Sequence, residues 1–234
     1  MNKDQELENY LFISPNKFGI YLFDKKNFKN LYKEELEIDD DRNFVNHNDL
    51  KKFLDNNIFK IEKLIGKFVK NIFLIIENKE IFNLHIGIKK KNYNIPINKD
   101  YLENFLTEAK DLFKENYRDK KIIHIIINKY LINNESYISF KDNLEYDQIS
   151  LEVQFKSISY NLIDDLNNVL KNYQINILKY LDGNYVKNFF KPQSLELSVM
   201  CHRILQGENE NEVNVIKKTY QKKGFFEKFF QLFS

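Results

Sequence analysis

The chain has a single cysteine, Cys201, in 234 residues, which excludes an internal disulfide and is compatible with a reducing compartment. Glycine (6 residues) and alanine are scarce, while Asn, Lys and Ile abound, a bias that suits a compositionally skewed genome and blurs short motifs. Met1–Asn9 is polar and charged and does not resemble a signal peptide, and the longest apolar stretches, such as Ile122–Ile127, are far below transmembrane length. A net charge of +2 leaves no large field for a nucleic acid. The Lys89-Lys-Lys91 run is a solvated strand end or turn. No Gly-rich phosphate loop, Cys-x-x-Cys or His-Glu-x-x-His pattern is present. These absences predict a cytosolic protein with one or two small domains, with no catalysis, no cofactor, no metal and no nucleic-acid partner.

Hydrophobic periodicity predicts the elements. Tyr10–Asp24 reads as two strands broken by Ser14-Pro15-Asn16-Lys17. Glu34–Asp41 is an acidic connection; its carboxylates lack the alternating spacing of a calcium loop, and a solvated loop is the better reading. His47–Leu64 has helical spacing, with Asn48 or Asp49 as cap. Asn71–Glu77 and Ile81–Lys91 look like a strand pair turning at Asn78-Lys79. Asp100–Asn116 is an amphipathic helix, Lys121–Leu131 a near-continuous apolar strand, and Tyr137–Phe140 extends or pairs with it. Gln148–Ser157 alternates Ile149, Leu151, Val153 and Phe155 as an open-faced strand. Asn161–Asn172 is a helix burying Leu162, Ile163, Leu166, Val169 and Leu170, and Gln174–Leu181 closes the unit as a strand. A short helix is expected at Leu195–Leu205, followed by a polar stretch at Gly207–Gln221. The order predicts an α+β layered architecture.

Five phenylalanines crowd the last eleven residues, Gly224–Ser234. On a helix, Phe225, Phe226, Phe229, Phe230, Leu232 and Phe233 share one face, and Lys222 and Lys223 precede them. A basic pair, a glycine hinge and an aromatic-faced terminal helix describe an interfacial membrane anchor. The same pattern also suits a helix docked on the protein's own core or on a partner subunit; the linker-like stretch before it favours the anchor. Burial of roughly 1.5–3 kcal/mol per side chain is largely offset by ordering costs of about 1–2 kcal/mol per residue, so attachment is weak and reversible. Stable residence needs several tails on one assembly.

Four stretches together resemble the bacterial cell-division protein FtsA family, membrane-bound actin-like proteins. Ile97–Lys110 looks like the helix of that family's inserted subdomain. Lys121–Asn133 is similar to its following strand, with His124 and Tyr130 in register, and Ser150–Phe155 resembles the next strand. Lys222–Ser234 looks like its C-terminal membrane-targeting helix. The resemblance implies a remnant actin-like subdomain over residues 10–70 and an inserted strand-helix-strand-strand domain over 71–185. A linker over 186–223 and an amphipathic helix over 224–234 would follow. It implies an adaptor on the cytoplasmic face of the inner membrane, at midcell. The partners implied are the membrane surface, FtsA or later division proteins, FtsZ only indirectly, and further copies of the chain.

Departures from the family bear on nucleotide. Where an actin-like ATPase has its phosphate-cradling turn, this chain has Leu11–Lys17: Phe12 stands in place of the aspartate, Ser14 in place of the glycine, and Pro15 removes an N–H donor. That turn is not expected to hold ATP, and few residues after Leu181 remain for a second actin-like half. His47, His85, His124 and His202 are scattered, and Cys201-His202 has no third group placed to orient it. His124, in an apolar strand, is read as a hydrogen-bonded core histidine. Asp164-Asp165 lies on a helix surface, where neighbours point apart. Binding by strand addition is expected at Gln148–Phe155, through Leu151, Val153 and Phe155. Two rivals stand beside the division reading. One is an adaptor of a pilus or secretion assembly like the PilM family, which shares the actin-like fold and insert and binds a short peptide of a membrane protein. The other is a purely structural membrane-binding protein.

Overall fold

The computed structural model describes residues 6–38, 45–91, 99–139 and 147–213. The anchor residues Lys222, Lys223, Phe225, Phe226, Phe229, Phe230, Leu232 and Phe233 lie outside the described residues.

The fold is mixed α+β, built on two sheets. Strands β1 (Leu7–Ser14) and β2 (Lys17–Asp24) form a hairpin in register Ser14↔Lys17. Its two-residue loop is held by the Ser14 hydroxyl, 2.9 Å from Asn16 Oδ1 and 3.1 Å from the Lys17 carbonyl. Strand β3 (Lys29–Glu37) pairs with β2. The acidic residues from Glu34 onward therefore begin in an edge strand, not in a connecting loop; with Tyr32 packed on a core and Leu31 and Leu36 exposed, the strand shows no apolar alternation. Helix α1 (His47–Ile65) is capped by Asn46, whose side chain accepts the amides of Asn48 and Asp49. The cap thus precedes the two residues the sequence suggests for it. Strand β4 (Asn71–Ile76) then runs parallel to β1.

The chain next leaves this sheet. Strand β5 (Phe82–Lys91), helix α2 (Lys99–Asn116), strand β6 (Lys120–Ile132), the short strand β7 (Glu135–Tyr137) and strand β8 (Gln148–Ser159) form a separate antiparallel sheet in the order β5-β8-β6-β7. The β6–β7 turn places Asn133 and Asn134 at positive φ, the geometry that suits a two-residue hairpin and that Asn tolerates. Helix α3 (Tyr160–Lys171) and strand β9 (Asn176–Asp182) return to the first sheet, whose order is β3-β2-β1-β4-β9. Helices α4 (Gly183–Phe189) and α5 (Leu197–Leu205) follow. The insert therefore begins at β5 and ends with β8, whereas β4, α3 and β9, assigned to it by sequence, belong to the first sheet. β4 and β5 are consecutive but do not pair: β4 lies between β1 and β9, and β5 pairs with β8.

Side-chain alternation divides the first sheet between two cores. Leu11, Ile13, Phe18, Ile20, Leu22, Ile72 and Leu74 pack under α1 and α3. Tyr10, Phe12, Tyr21, Phe23 and Ile75 pack under α4 and α5, with Val186, Phe190, Cys201 and Ile204. Gly183 lets α4 start flush on this face, since an added Cβ would come within 3.3 Å of Ile75 and 3.4 Å of Phe12. Sandwiching explains why β1 and β2 read as near-continuous apolar runs. Among the described residues the second sheet is covered on one face, by Leu102, Phe105, Ala109 and Phe113 of α2 against Ile125, Ile127, Leu151, Val153 and Phe155.

Strand β6 serves all three cores. Register shifts at Ile122/His124 and Ile127/Lys129 re-aim its side chains. Ile123 enters the core under α1 and α3, Ile126 the core under α4 and α5, and Ile125 and Ile127 the core under α2. This is the physical reason for its unbroken apolar character.

Candidate functional site

Two sheet edges approach each other between the first body and the insert. β9 is the last strand of the five-stranded order; β6 pairs with β8 on one edge, and its other edge meets residues 211–213 at Ile125–Ile127 and β7 from Tyr130. The two edges are joined at one end by a buried polar cluster. His124 Nδ1 lies 2.7 Å from Glu212 Oε1, and His124 Nε2 lies 3.0 Å from the backbone nitrogen of Asp182. A backbone amide only donates, so Nε2 accepts and the imidazole proton sits on Nδ1, donated to the carboxylate. The Tyr185 hydroxyl donates to the other oxygen of Glu212 at 2.9 Å, and Asn209 donates to Tyr185. Burial pushes the Glu212 carboxyl up, but the hydrogen bonds of His124 and Tyr185 and the charge of Lys179 outweigh it and hold the group below the usual carboxylate range.

Asp182 reinforces the same end. One carboxylate oxygen caps α4 by accepting the Asn184 amide at 2.9 Å, and the other pairs with Lys156 of β8 at 2.8 Å. Lys156 also donates to Asn83 of β5. The chain after α5 completes the junction. Ile127 N–H donates to Asn211, and Val213 N–H donates to Ile125, so residues 211–213 run beside β6. The stretch 186–223, read from sequence as a linker, is thus folded as far as Val213.

Beside this clasp, residues of α2, β6, β9 and the segment after α5 line a groove of about 390 Å³. Its apolar lining includes Ile122, Ile123 and Ile125 of β6, Leu178 of β9, which is 57% exposed, and Val213 after α5. Lys110, Lys121 and Lys179 line it as cations, with the single carboxylate of Glu212 engaged by His124 and Tyr185 and 4.0 Å from Lys179. Lys121 also lies 4.6 Å over the ring of Tyr180, which fixes its stem along the groove. A strand edge, an apolar floor and excess positive charge can hold an extended, acidic polypeptide.

The structure moves the binding strand expected from sequence. Leu151, Val153 and Phe155 have no exposed surface, and β8 is flanked by β5 and β6, so it offers no edge for strand addition. Alternation correctly marks one polar and one apolar face on β8, but it is silent on what pairs with either side. Lys110, Lys121, Leu178, Lys179 and Glu212 were not singled out by sequence. The only local hint is Leu178, an apolar residue exposed on a strand. Glu212 lies in a polar stretch with nothing nearby to mark it as buried.

The β1–β2 turn is filled from within. Lys17 pairs with Glu35 at 3.0 Å and Glu37 at 2.9 Å, and those carboxylates beside the turn oppose a polyphosphate. Among the described residues no group of three His, Cys, Asp or Glu side chains is placed to hold a metal, and no helix is long and apolar enough to cross a membrane. Cys201 is buried, which pushes its thiol far up and away from the reactive thiolate, while neighbouring His202 is taken up by Glu8 at 2.9 Å. His124 is a hydrogen-bonded core histidine, and it also joins the two sheets.

No protein-family model and no curated relative matches the chain. Several solved structures are similar to it in part. The cytoplasmic domain of EpsL, an inner membrane component of the type II secretion system of Vibrio cholerae, has 5% identity and a TM-score of 0.40 over 77% of this chain and 58% of that one. A PilM–PilN type IV pilus biogenesis complex has 8% identity and a TM-score of 0.45 over 78% and 49%. A Bacteroides thetaiotaomicron protein with an actin-like ATPase fold and unknown function has 13% identity and a TM-score of 0.33 over 82% and 59%. The chain spans 49–59% of the length of these structures. None of them supports the division role implied by the sequence resemblance.

Proposed function

We propose that this chain is a non-catalytic adaptor that captures an extended, acidic segment of a partner protein in the groove between β6 and β9. Within the same proposal it works at the cytoplasmic face of the inner membrane, in a pilus- or secretion-type assembly and not in the divisome. That setting is the one named for two of the similar structures; the groove, and not their likeness, carries the reading.

The supporting observation is the coincidence of three features at one place. β9, the terminal strand of its sheet among the described residues, supplies main-chain donors and acceptors, Ile122, Ile125 and Leu178 supply apolar contact for alternate side chains, and Lys110, Lys121 and Lys179 supply charge. The clasp of His124, Glu212 and Asp182 sets the spacing of the two edges before any ligand arrives, which lowers the ordering cost of binding. The three cations would steer an acidic segment inward and make capture sensitive to salt.

The test places a photo-crosslinking amino acid at Leu178 of the full chain in its native cells, with a matching probe at exposed Thr107 as control. A discrete adduct with the cytoplasmic segment of a membrane-assembly protein is expected from Leu178 alone, and it should vanish in Lys121→Glu/Lys179→Glu. An adduct untouched by the charge reversal, or none from Leu178, would overturn the groove as the binding site.

A further inference from the structure

The outer edge of β6 is partly taken by this chain itself. Ile127 N–H donates to the Asn211 carbonyl at 2.9 Å, Val213 N–H donates to the Ile125 carbonyl at 2.8 Å, and Glu212 lies opposite Ile126 in an antiparallel bridge. Each residue after Glu212 therefore steps back along β6, toward Ile123, Ile122 and Lys121. Those three residues line the groove, and so does Val213. Among the described residues the strand that pairs with this part of β6 is β8, on the opposite edge. Val213 packs against the core under α2, where Ile125 is buried, so the chain arrives at the groove with an anchored end.

The next residues, Asn214-Val-Ile-Lys-Lys218, lie outside the described residues. We propose that this segment is the groove's default occupant and competes in cis with the acidic partner segment, a role that rests on the groove being the capture site. Two observations select it. Val213 delivers it to the groove with no intervening linker, which gives it the effective concentration of a tethered ligand. Carried on without a further bulge, the antiparallel register sets Val215 opposite Ile123 and Ile216 opposite Ile122, apolar against apolar. Its charge, however, is the wrong one for this site. Lys217 and Lys218 would come up against a lining that already holds Lys110, Lys121 and Lys179. Like-charge repulsion weakens the occupant that the tether supplies, and an acidic strand gains where this one loses. The chain thus covers its own apolar floor with a segment that a partner of opposite charge displaces.

The test uses the purified full chain carrying the photo-crosslinking amino acid at Leu178, with a synthetic peptide of alternating glutamate and valine as probe. In the chain alone, mass spectrometry of the monomer band should place the adduct within 214–218, and excess peptide should suppress it. Raising salt should strengthen this internal adduct and weaken the peptide, since screening removes repulsion in one case and attraction in the other. Val215→Gly/Ile216→Gly loosens the segment without changing charge and should bind the peptide about tenfold more tightly, the gain for a groove otherwise open about one time in ten. Circular dichroism checks its fold; Val215→Ser/Ile216→Ser replaces it, with the same expected gain, if it misfolds. Peptide bound equally by the native chain and the variant, with no adduct in 214–218, would overturn the cis occupant and leave groove capture standing. Peptide bound by neither would overturn both. An adduct confined to a dimer-sized band would overturn the cis occupant and put a second copy of the chain in its place.

Discussion

Strands β1, β2 and β4 of the five-stranded sheet are covered on both faces, whereas among the described residues the four-stranded sheet is covered on one face, by α2. In β1 and β2, core residues follow one another without interruption from Tyr10 to Ser14 and from Phe18 to Phe23. In β8 the buried Ile149, Leu151, Val153 and Phe155 alternate with Ser150, Glu152, Gln154 and Lys156. The first body has two apolar layers. The insert owns a single core and leans on the first body at its base, where Ile123, Ile126 and Ile158 enter the cores of the other sheet. Cohesion between the two is part apolar and part polar, and the polar part is concentrated at Asp182, His124 and Glu212.

The sharpest way to break this comparison is Phe155→Ala. Phe155 is fully buried and stacks on Phe113 at 5.2 Å between ring centres, so its loss should cost about 3–5 kcal/mol. Hydrogen exchange should show protection falling in β5, α2 and β8 while β1, β2 and β4 retain theirs. Equal loss in both sheets would mean that the molecule unfolds as one unit.

Next in size is the clasp. Asp182→Ala leaves Lys156, with a side chain 12% exposed, without its carboxylate, and it also uncaps α4. The expected cost is about 3 kcal/mol, since breaking a buried pair strands a charge. Denaturant titration of Asp182→Ala, Lys156→Met and the double variant should give a double variant less damaged than the sum of the singles. Strict additivity would show that the pair does not couple the sheets.

The smallest effect is a pH dependence. Glu212 has a folded pKa below its ordinary value, so its contribution is fully present above the unfolded carboxylate pKa of about 4.3 and is lost as pH falls through the lower folded value. Urea midpoints measured down through that window should fall more steeply for the native chain than for Glu212→Gln. Parallel slopes would show that this carboxylate does not link folding to protons.

Much of the secondary structure is legible in the residues. The β1–β2 hairpin, α1, α2, β6, β8 and α3 all follow from apolar spacing, and the five buried positions of α3 are Leu162, Ile163, Leu166, Val169 and Leu170, as its periodicity predicts. β3 was not legible, because a largely exposed edge strand carries Lys and Glu and lacks the alternating signal. α4 spans only Gly183–Phe189 and offers too few turns to show a period. Little of the groove was legible. Its residues come from α2, β6, β9 and the segment after α5, and no one stretch contains enough of them to form a pattern.

Spacing along the chain therefore determined the local conformations and which face of each element is apolar, because burial of one face imposes a period of two or 3.6 on the residues themselves. Tertiary structure alone decided neighbours. It separated β4 from β5, set β8 between two strands, left β9 at the edge of its sheet among the described residues, and brought Glu212 across to His124. Pairing partners far apart in sequence satisfy the same alternation as partners next to each other, so periodicity cannot choose between them; only the simultaneous packing of all three cores does.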